Sequence, residues 1–284
     1  MVGGLVGADP ERPVRGGREV LADCHARPYV GHRLPIVDAL ILGSGGWIPT
    51  ATRETACVLL RSGDQALMLD AGTGVRRLVS RPALLAGVAR LDVVLTHFHL
   101  DHVCGLGYLP ALGLRADVWA PGLWLYHAES SDLLGPLLRA PLSAAARSAI
   151  GPIHELAEGA QDVGGFTVRA RGQQRHWAPT AGLRIDDEIA LITDTAYDPG
   201  SIDLARGVRH LLHEAWSSSA APESADHDAT GHAAATVAVE AGVDQLTLIH
   251  LNPLPRDHRP VLEDARAVAP TAQLGEDEQH VLRE

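Results

Sequence analysis

The sequence predicts an α/β protein in which two β-sheets share one core. Short apolar runs, each closed by a glycine or a polar turn, alternate with alanine-rich helical stretches, and a second set of apolar runs follows. The length of 284 residues and the hydrophobic content of 46% are sufficient to bury a large core. We therefore expect one large domain over residues 34–284.

The predicted strands are short and apolar, and they fall at 36–43, 56–63, 66–72, 91–97, 165–171, 182–186, 188–194 and 245–250. Helices are predicted over 75–90 and 132–150, with prolines marking breaks. Residues 1–33 are rich in Gly, Pro and Arg, and we expect a loosely ordered extension or an arm that packs on a partner.

Charge and residue usage exclude several functions. The net charge of −11 argues against a large nucleic-acid partner, because surfaces that bind a phosphate backbone are usually basic. All 24 lysine-plus-arginine residues are arginine, which excludes Schiff-base lysine chemistry and the P-loop lysine. The three cysteines form no CxxC pair, and no signal peptide or membrane-spanning run is evident. We expect a cytoplasmic protein with a small-molecule substrate and no membrane association.

Three histidines and an aspartate follow the fourth predicted strand, in the stretch LTHFHLDHVCGL (95–106). His97 and His99 alternate and would point the same way in extended backbone, while Asp101 and His102 lie in the turn that follows. Imidazole and carboxylate groups are ligands for zinc, manganese and iron. A polar turn with ordinary hydrogen-bonded histidines is the alternative, but four such groups at this spacing favour a metal site.

This stretch is the HxHxDH pattern of the metallo-β-lactamase superfamily, and LDAGTG (69–74), with Asp70, resembles the Asp-Gly turn that precedes it there. HWAPTAGLRI (176–185), LITDT (191–195) and LIHLNP (248–253) resemble ligand-bearing stretches of the ribonuclease Z-like branch. The resemblance implies a four-layer αββα sandwich with metals at one edge, where the two sheets meet. Family members are often dimeric, so a homodimer is an open expectation.

The resemblance also implies two divalent metal ions, Zn²⁺ or alternatively Mn²⁺ or iron. The implied ligands are His97, His99 and His176 for one ion, Asp101, His102 and His250 for the other, and Asp194 for both. Two such ions would share a water and lower its pKa, so that a bridging hydroxide could attack a phosphoryl or carbonyl group. Asp101 would also orient this hydroxide.

Other site residues are predicted from the same resemblance. His227, in HDATGHAA (227–234), would donate a proton to the leaving group, and the alternative is a loop histidine without this role. Asp70 and Glu214 would support the ligands, although a purely structural role for Glu214 is equally compatible. Arg53 and Arg184 are candidate phosphate contacts. The acidic run at 276–278 is interpreted as a solvated face.

The implied function is metal-dependent hydrolysis, with the scissile bond left open. One hypothesis is a phosphodiesterase for a small or cyclic phosphodiester; the other is a carboxyl-ester, lactone or thioester hydrolase in a specialised biosynthetic pathway. A tRNA 3′-processing endonuclease is disfavoured. Members that cut tRNA carry a long basic arm between the third histidine and the bridging aspartate, whereas His176 and Asp194 are 18 positions apart. A non-catalytic binding module is disfavoured by the complete ligand set.

Overall fold

The computed structural model describes residues 35–143, 150–173, 175–223 and 226–283. The predicted extension over 1–33 lies outside the described residues, as does the 144–149 part of the predicted helix 132–150. Within the described ranges, the strands form two seven-stranded sheets.

The first sheet has the strand order β14-β1-β2-β3-β4-β5-β6. Its strands are β1 (Asp38–Gly43), β2 (Cys57–Ser62), β3 (Gln65–Leu69), β4 (Arg90–Val94), β5 (Ala116–Ala120), β6 (Ile153–Glu155) and β14 (His280–Arg283). Neighbours from β14 to β3 are antiparallel, and neighbours from β3 to β6 are parallel.

The second sheet has the order β13-β12-β11-β10-β9-β8-β7. Its strands are β7 (Gly159–Val163), β8 (Phe166–Gln173), β9 (Thr180–Ile185), β10 (Ile189–Ile192), β11 (His210–Glu214), β12 (Gln245–Ile249) and β13 (Gln273–Leu274). Neighbours from β7 to β10 are antiparallel, and neighbours from β10 to β13 are parallel.

Helices cover the outer face of each sheet. The first sheet carries α1 (Arg76–Ser80), α2 (Leu100–Val103) and α3 (Ser130–Leu134), together with 3-10 turns at Thr73–Val75, Pro82–Leu85 and Cys104–Leu112. A π-helical turn at Gly122–Tyr126 instead packs Leu125 into the layer between the sheets. The second sheet carries α4 (Gly200–Ala205), α5 (Gly231–Ala241) and α6 (Arg259–Arg266). No helix in the described ranges is both long enough and apolar enough to cross a membrane.

Alternation along each strand builds three apolar layers. In β3, Leu67 and Leu69 face the other sheet, whereas Ala66 and Met68 face the helices. In β10, Leu191 likewise faces the central layer between the sheets while its neighbours pack against α4 and α5. These layers confirm the four-layer αββα sandwich.

All eight predicted strands are present with ends shifted by a few residues. In the described part of the predicted helix 132–150 the α-helix ends at Leu134, and the helix predicted over 75–90 is too long. It ends at Ser80, and after Arg81 a 3-10 turn begins at Pro82 and has no buried residue. The proline has no amide to continue the helical hydrogen bonding, so the segment becomes a connection instead. The predicted strands do not include β5, β6, β7, β11, β13 and β14; the residues of β7, GAQDV, for example, lack an apolar run.

Polar residues follow the carboxyl ends of several strands, at one shared edge of the two sheets. Asp70 follows β3, Asp194 lies two residues beyond β10 and His250 follows β12. All three have left-handed backbone, with φ of 57°, 54° and 49°. Non-glycine residues adopt this region rarely, and such strain is concentrated at functional sites. This edge is therefore where the site is expected.

Candidate metal centre

Asp194 lies at the centre of the site and faces two groups of histidines. Its Oδ1 is 3.7 Å from Nε2 of His97 and 3.5 Å from Nε2 of His176. Its Oδ2 is 3.2 Å from Nε2 of His102 and 3.4 Å from Nε2 of His250. The two oxygens of one carboxylate thus serve two separate nitrogen clusters.

The remaining predicted ligands complete the two groups. Oδ2 of Asp101 lies 3.4 Å from Nε2 of His102 and 3.3 Å from Nε2 of His250. The ring of His99 lies 4.5 Å from that of His97 and 5.3 Å from that of His176, between centroids. The structure brings all seven predicted ligands together. Two triads within them have ligand atoms close enough to hold one ion each: His97, His99 and Asp194, and Asp101, His102 and His250.

The chemistry of this donor set fits divalent cations. Nε2 of His97 is buried and has no hydrogen-bond partner among the described residues, which is costly unless another group occupies its lone pair. Burial, with a contribution from the neighbouring His102, lowers the pKa of His97 well below its usual value, so the ring is neutral and can act as a ligand. Imidazole nitrogens with carboxylate oxygens are the ligand types of zinc, manganese and iron sites.

Polar partners on the far side of the predicted ligands orient the histidine rings. Nδ1 of His102 lies 2.9 Å from Oδ2 of Asp70. Nδ1 of His176 donates to the backbone oxygen of His227 at 3.0 Å. Metal-binding histidines usually have such a partner on the far nitrogen, because it fixes the tautomer that presents the other nitrogen to the ion.

The partner of His250 is Glu214. Its Oε1 is 3.5 Å from Nδ1 of His250, which is an ion-pair distance rather than a full hydrogen bond, and its Oε2 accepts from the amide of Thr195 at 2.9 Å. Burial raises the pKa of this carboxyl to about 7, against the opposing effect of His250. The structure thus places Glu214, like Asp70, beside the far nitrogen of a predicted ligand.

The protein supplies more negative than positive charge here. Burial opposes protonation of His102 and His250, but the surrounding carboxylates, with Asp194 the strongest, outweigh it and raise the pKa of both rings well above the usual value. For His176, burial is outweighed chiefly by Asp228 and Asp194, and the pKa rises to about 9. A site that draws protons onto its histidines in this way is one that divalent cations would stabilise electrostatically.

The site opens into a cavity of about 510 Å³. Its lining combines predicted ligands and Asp228 with apolar side chains: Trp47, Ile48, His99, Leu100, Asp101, His176, Trp177, Asp194, Trp216, Asp228 and His250. This volume is within the range of small-molecule sites.

The two arginines predicted as phosphate contacts are not brought to the cavity. Nη1 of Arg53 donates to Oγ of Ser44 at 2.6 Å and to the backbone oxygen of Gly275. Arg184 donates to the backbone oxygens of Leu204 and Arg206 at 2.9 and 2.8 Å and pairs with Asp187. Both side chains hold loops together, and both line other cavities. These placements argue against phosphate contacts by Arg53 and Arg184.

His227 lies beside the site. Its backbone oxygen holds His176, and its ring stacks on Trp177 with 3.8 Å between centroids. Its Nδ1 is buried and has no hydrogen-bond partner among the described residues. The role of His227 as a proton donor stays a prediction.

Sequence reasoning missed Asp228 and the tryptophans. Oδ1 of Asp228 lies 3.3 Å from Nδ1 of His176 and lines the cavity. The one feature of the sequence that could have indicated Asp228 is its position next to His227. Trp177 lies in HWAPTAGLRI, next to the predicted ligand His176, but no local pattern shows that its loop converges with those of Trp47 and Trp216.

The acidic run at 276–278 is not simply a solvated face. The side chain of Asp277 is buried and accepts hydrogen bonds from the backbone amides of Ser44 and Glu54 at 2.9 and 2.6 Å. It also pairs with Arg77 at 2.8 Å. The interpretation of this residue as solvated was wrong, because its partners lie 200 or more positions away in the chain.

A sequence profile of the β-lactamase superfamily domain matches residues 65–251, and the chain therefore belongs to this superfamily. Within it the chain is ribonuclease Z-like: it is 27% identical to the ribonuclease Z of Synechococcus sp. (strain WH7803), over 83% of this chain and 93% of the relative. The fold and the relatives identify a hydrolase of the metallo-β-lactamase type.

Solved structures show the same fold. The metallo-β-lactamase fold protein YhfI from Bacillus subtilis matches with a TM-score of 0.72 and 19% identity, over 87% of this chain and 99% of that chain. A diphosphatase from the PhnP family matches with a TM-score of 0.67 and 18% identity, over 87% and 98% of the two chains.

Proposed function

We propose that this hydrolase holds two divalent metal ions and cleaves a small or cyclic phosphodiester. The observation that carries the proposal is the position of Asp194, whose two oxygens face different histidine groups at 3.2 to 3.7 Å. A single carboxylate placed in this way could contact both ions of a two-ion centre. Zn²⁺ suits the donors best, with Mn²⁺ and iron as alternatives.

The protein residues would have distinct roles. The proposed ligand sets are His97, His99 and His176 for one ion, Asp101, His102 and His250 for the other, and Asp194 for both. When bound, the two ions would supply Lewis acidity toward a phosphoryl or carbonyl oxygen, and they would lower the pKa of a water so that it can act as a nucleophile near neutral pH. Asp101 borders the cavity and would orient the attacking water. His227 would protonate the leaving group.

Cavity size supports a small substrate. A volume of about 510 Å³ accommodates a nucleotide-sized molecule. The connection between β9 and β10 spans only residues 186–188, so the arm expected in tRNA-cutting members has no counterpart between His176 and Asp194. Although its relatives include ribonuclease Z, we propose against tRNA as the substrate. A fold neighbour described as a diphosphatase is compatible with small-phosphate chemistry.

Hydrolysis of a carboxyl ester, lactone or thioester is the second candidate. The observation that favours it is the lining of the cavity, which includes no arginine among the described residues. A phosphodiester would rely on the ions and histidines alone for charge, whereas a neutral ester needs no cationic side chain.

A substrate screen separates the two candidates. The protein loaded with Zn²⁺ or Mn²⁺ would be assayed on bis(p-nitrophenyl) phosphate, p-nitrophenyl esters, lactones and acyl thioesters. We expect turnover of the phosphodiester. Turnover of esters alone would transfer the assignment to the second candidate.

Elemental analysis tests the two-ion centre itself. We expect about two ions per chain and the loss of at least one ion in Asp194→Ala, with Asp244→Ala, an exposed carboxylate, as the matched control. His227→Ala should lower turnover strongly with the metal content unchanged. Fewer than two ions per wild-type chain, or an Asp194→Ala protein with full metal content, would contradict the proposal.

A further inference from the structure

Large apolar side chains are exposed around the mouth of the cavity. Among its lining residues, Trp177 is 72% exposed, Leu100 67%, Trp47 56% and Ile48 43%. Exposed apolar residues scattered singly need no explanation, but a cluster that rims a cavity marks a binding surface. The cluster is continuous with the metal centre, because the same cavity is lined by Asp101 and His250.

Trp177 is held in place by the site itself. Its indole stacks on the ring of His227 with 3.8 Å between centroids and 27° between planes. The backbone oxygen of His227 in turn accepts from Nδ1 of His176, the residue before Trp177. A rigid indole with most of its surface exposed is pre-organised to stack on another flat group.

Two further tryptophans approach from other loops. The amide of Trp47 donates to Oδ2 of Asp101 at 2.7 Å, and its left-handed backbone, with φ of 60°, fixes where the indole leaves the loop. The ring of Trp216 lies 5.8 Å from the ring of His250. Three indoles thus border the proposed metal ligands.

The charge of the cavity lining depends on the proposed metal ions. Asp101, Asp194 and Asp228 line the cavity, and arginine is not among its described lining residues. The two proposed ions would neutralise Asp101 and Asp194, so the charge of the lining does not limit the charge of the reacting centre.

We propose that Trp47, Trp177 and Trp216 form a subsite for a flat aromatic group of the substrate, such as a nucleobase or an aryl group, next to the reacting centre. This proposal rests on the proposed function for the reacting centre, but the aromatic subsite is testable without turnover.

Three non-hydrolysable monoanions test the subsite: diphenylphosphinate, dicyclohexylphosphinate and dimethylphosphinate. Their charge is the same, and they differ in whether the substituents are flat and aromatic, bulky and aliphatic, or small. Calorimetric titration of the Zn²⁺-loaded protein should give about tenfold tighter binding of diphenylphosphinate than of dimethylphosphinate. Dicyclohexylphosphinate should bind clearly less tightly than the diphenyl compound.

Variants then locate the preference. In Trp177→Ala the advantage of diphenylphosphinate should fall to within about threefold, because the main stacking face is gone. Trp177→Phe should retain most of it. Val239→Ala, an exposed apolar residue on α5, is the matched control and should leave it unchanged.

Turnover adds a second readout if the phosphodiester is a substrate. Trp177→Ala should then raise KM for bis(p-nitrophenyl) phosphate about tenfold with little change in kcat, as expected for lost binding contacts. The proposed function fails if no phosphodiester is cleaved, whereas the subsite fails on the phosphinate series, so the two results are independent.

Three outcomes would overturn the subsite. One is equal or undetectable binding of the diphenyl and dimethyl compounds to the wild-type protein. Another is a preference that persists in Trp177→Ala and in the Trp47→Gly, Trp177→Ala double variant. The third is a change from dimer to monomer in Trp177→Ala by sedimentation velocity, which would show that the apolar rim is an interface between two copies of the chain.

Discussion

The backbone amide of Trp47 donates to Oδ2 of Asp101 at 2.7 Å. The same oxygen lies 3.4 and 3.3 Å from the Nε2 atoms of His102 and His250. The loop over residues 44–54 therefore contacts a proposed metal ligand directly. The contacts that hold this loop therefore affect the orientation of Asp101. One of them comes from Asp277, which is 233 positions from Ser44 in the chain.

Asp277 is one anchor, and its removal should destabilise the protein. Its buried carboxylate satisfies two backbone amides of the loop and pairs with Arg77. Asp277→Ala leaves all three groups without this partner, and we expect a loss of about 3–5 kcal/mol in the free energy of unfolding, measured by urea denaturation. The exposed neighbour variant Glu276→Ala should cost less than about 0.5 kcal/mol. Equal effects of the two changes would show that Asp277 does not anchor the loop.

Gly46 is required for the position of His250. A Cβ atom on Gly46 would lie 2.5 Å from Cε1 of the His250 ring, which is closer than packed side chains approach. Gly46→Ala should displace the ring and reduce bound metal by about one ion per chain, measured by elemental analysis. At Gly107 a Cβ would meet nothing within 4 Å, so Gly107→Ala is the control. Full metal content in Gly46→Ala would mean that His250 is not a ligand.

The sequence predicted the groups that are close in the chain better than the contacts that join distant segments. His97, His99, Asp101 and His102 lie within six positions, so their types and spacing alone indicate a metal site. His176, Asp194 and His250 needed the family resemblance, because each follows a different strand and only the fold brings the strand ends together.

Contacts set by packing could not be predicted. Arg184 is followed by acidic residues, so a local ion pair could be expected. The sequence alone does not show that its guanidinium also donates to backbone oxygens at the C-terminal end of α4. The hydrogen bond between Ser44 and Asp277 joins residues 233 positions apart. The bond from Trp47 to Asp101 uses a backbone amide, which any residue other than proline could supply, so no side-chain pattern marks it.

Asp70 should strengthen metal binding without being a ligand. Its Oδ2 lies 2.9 Å from Nδ1 of His102, and its Oδ1 accepts from the amide of Thr96 at 2.8 Å. Asp70→Asn removes the charge that orients His102, and metal affinity measured by competition with a chelator should fall about 10–100-fold.

A surface pair supplies the control for Asp70. Asp38 and Nδ1 of His280 are 2.5 Å apart in another part of the fold, so Asp38→Asn removes the same kind of contact away from the site. An Asp70→Asn protein that binds metal as tightly as Asp38→Asn would contradict the role given to Asp70.

Acid sensitivity should arise in part from a buried histidine outside the site. Nε2 of His210 lies 2.8 Å from Oγ1 of Thr247, and burial, assisted by the nearby Arg209, lowers the pKa of His210 from 6.5 to about 4. Because the unfolded chain binds the proton more readily between these values, the contribution of His210 to stability is complete above about pH 6.5 and is lost as the pH falls toward 4.

His210→Gln keeps a polar group near Thr247 but cannot titrate. Between pH 7.5 and pH 5.0 the free energy of unfolding of the wild-type protein should fall by about 2 kcal/mol more than that of this variant, measured by urea denaturation at both values. His232→Gln, at an exposed histidine, should show the wild-type dependence. The histidines of the proposed metal site are the same in all three proteins, so their effect cancels when the changes in the free energy of unfolding are compared. Parallel pH profiles of the wild type and His210→Gln would mean that His210 is not a source of the acid sensitivity.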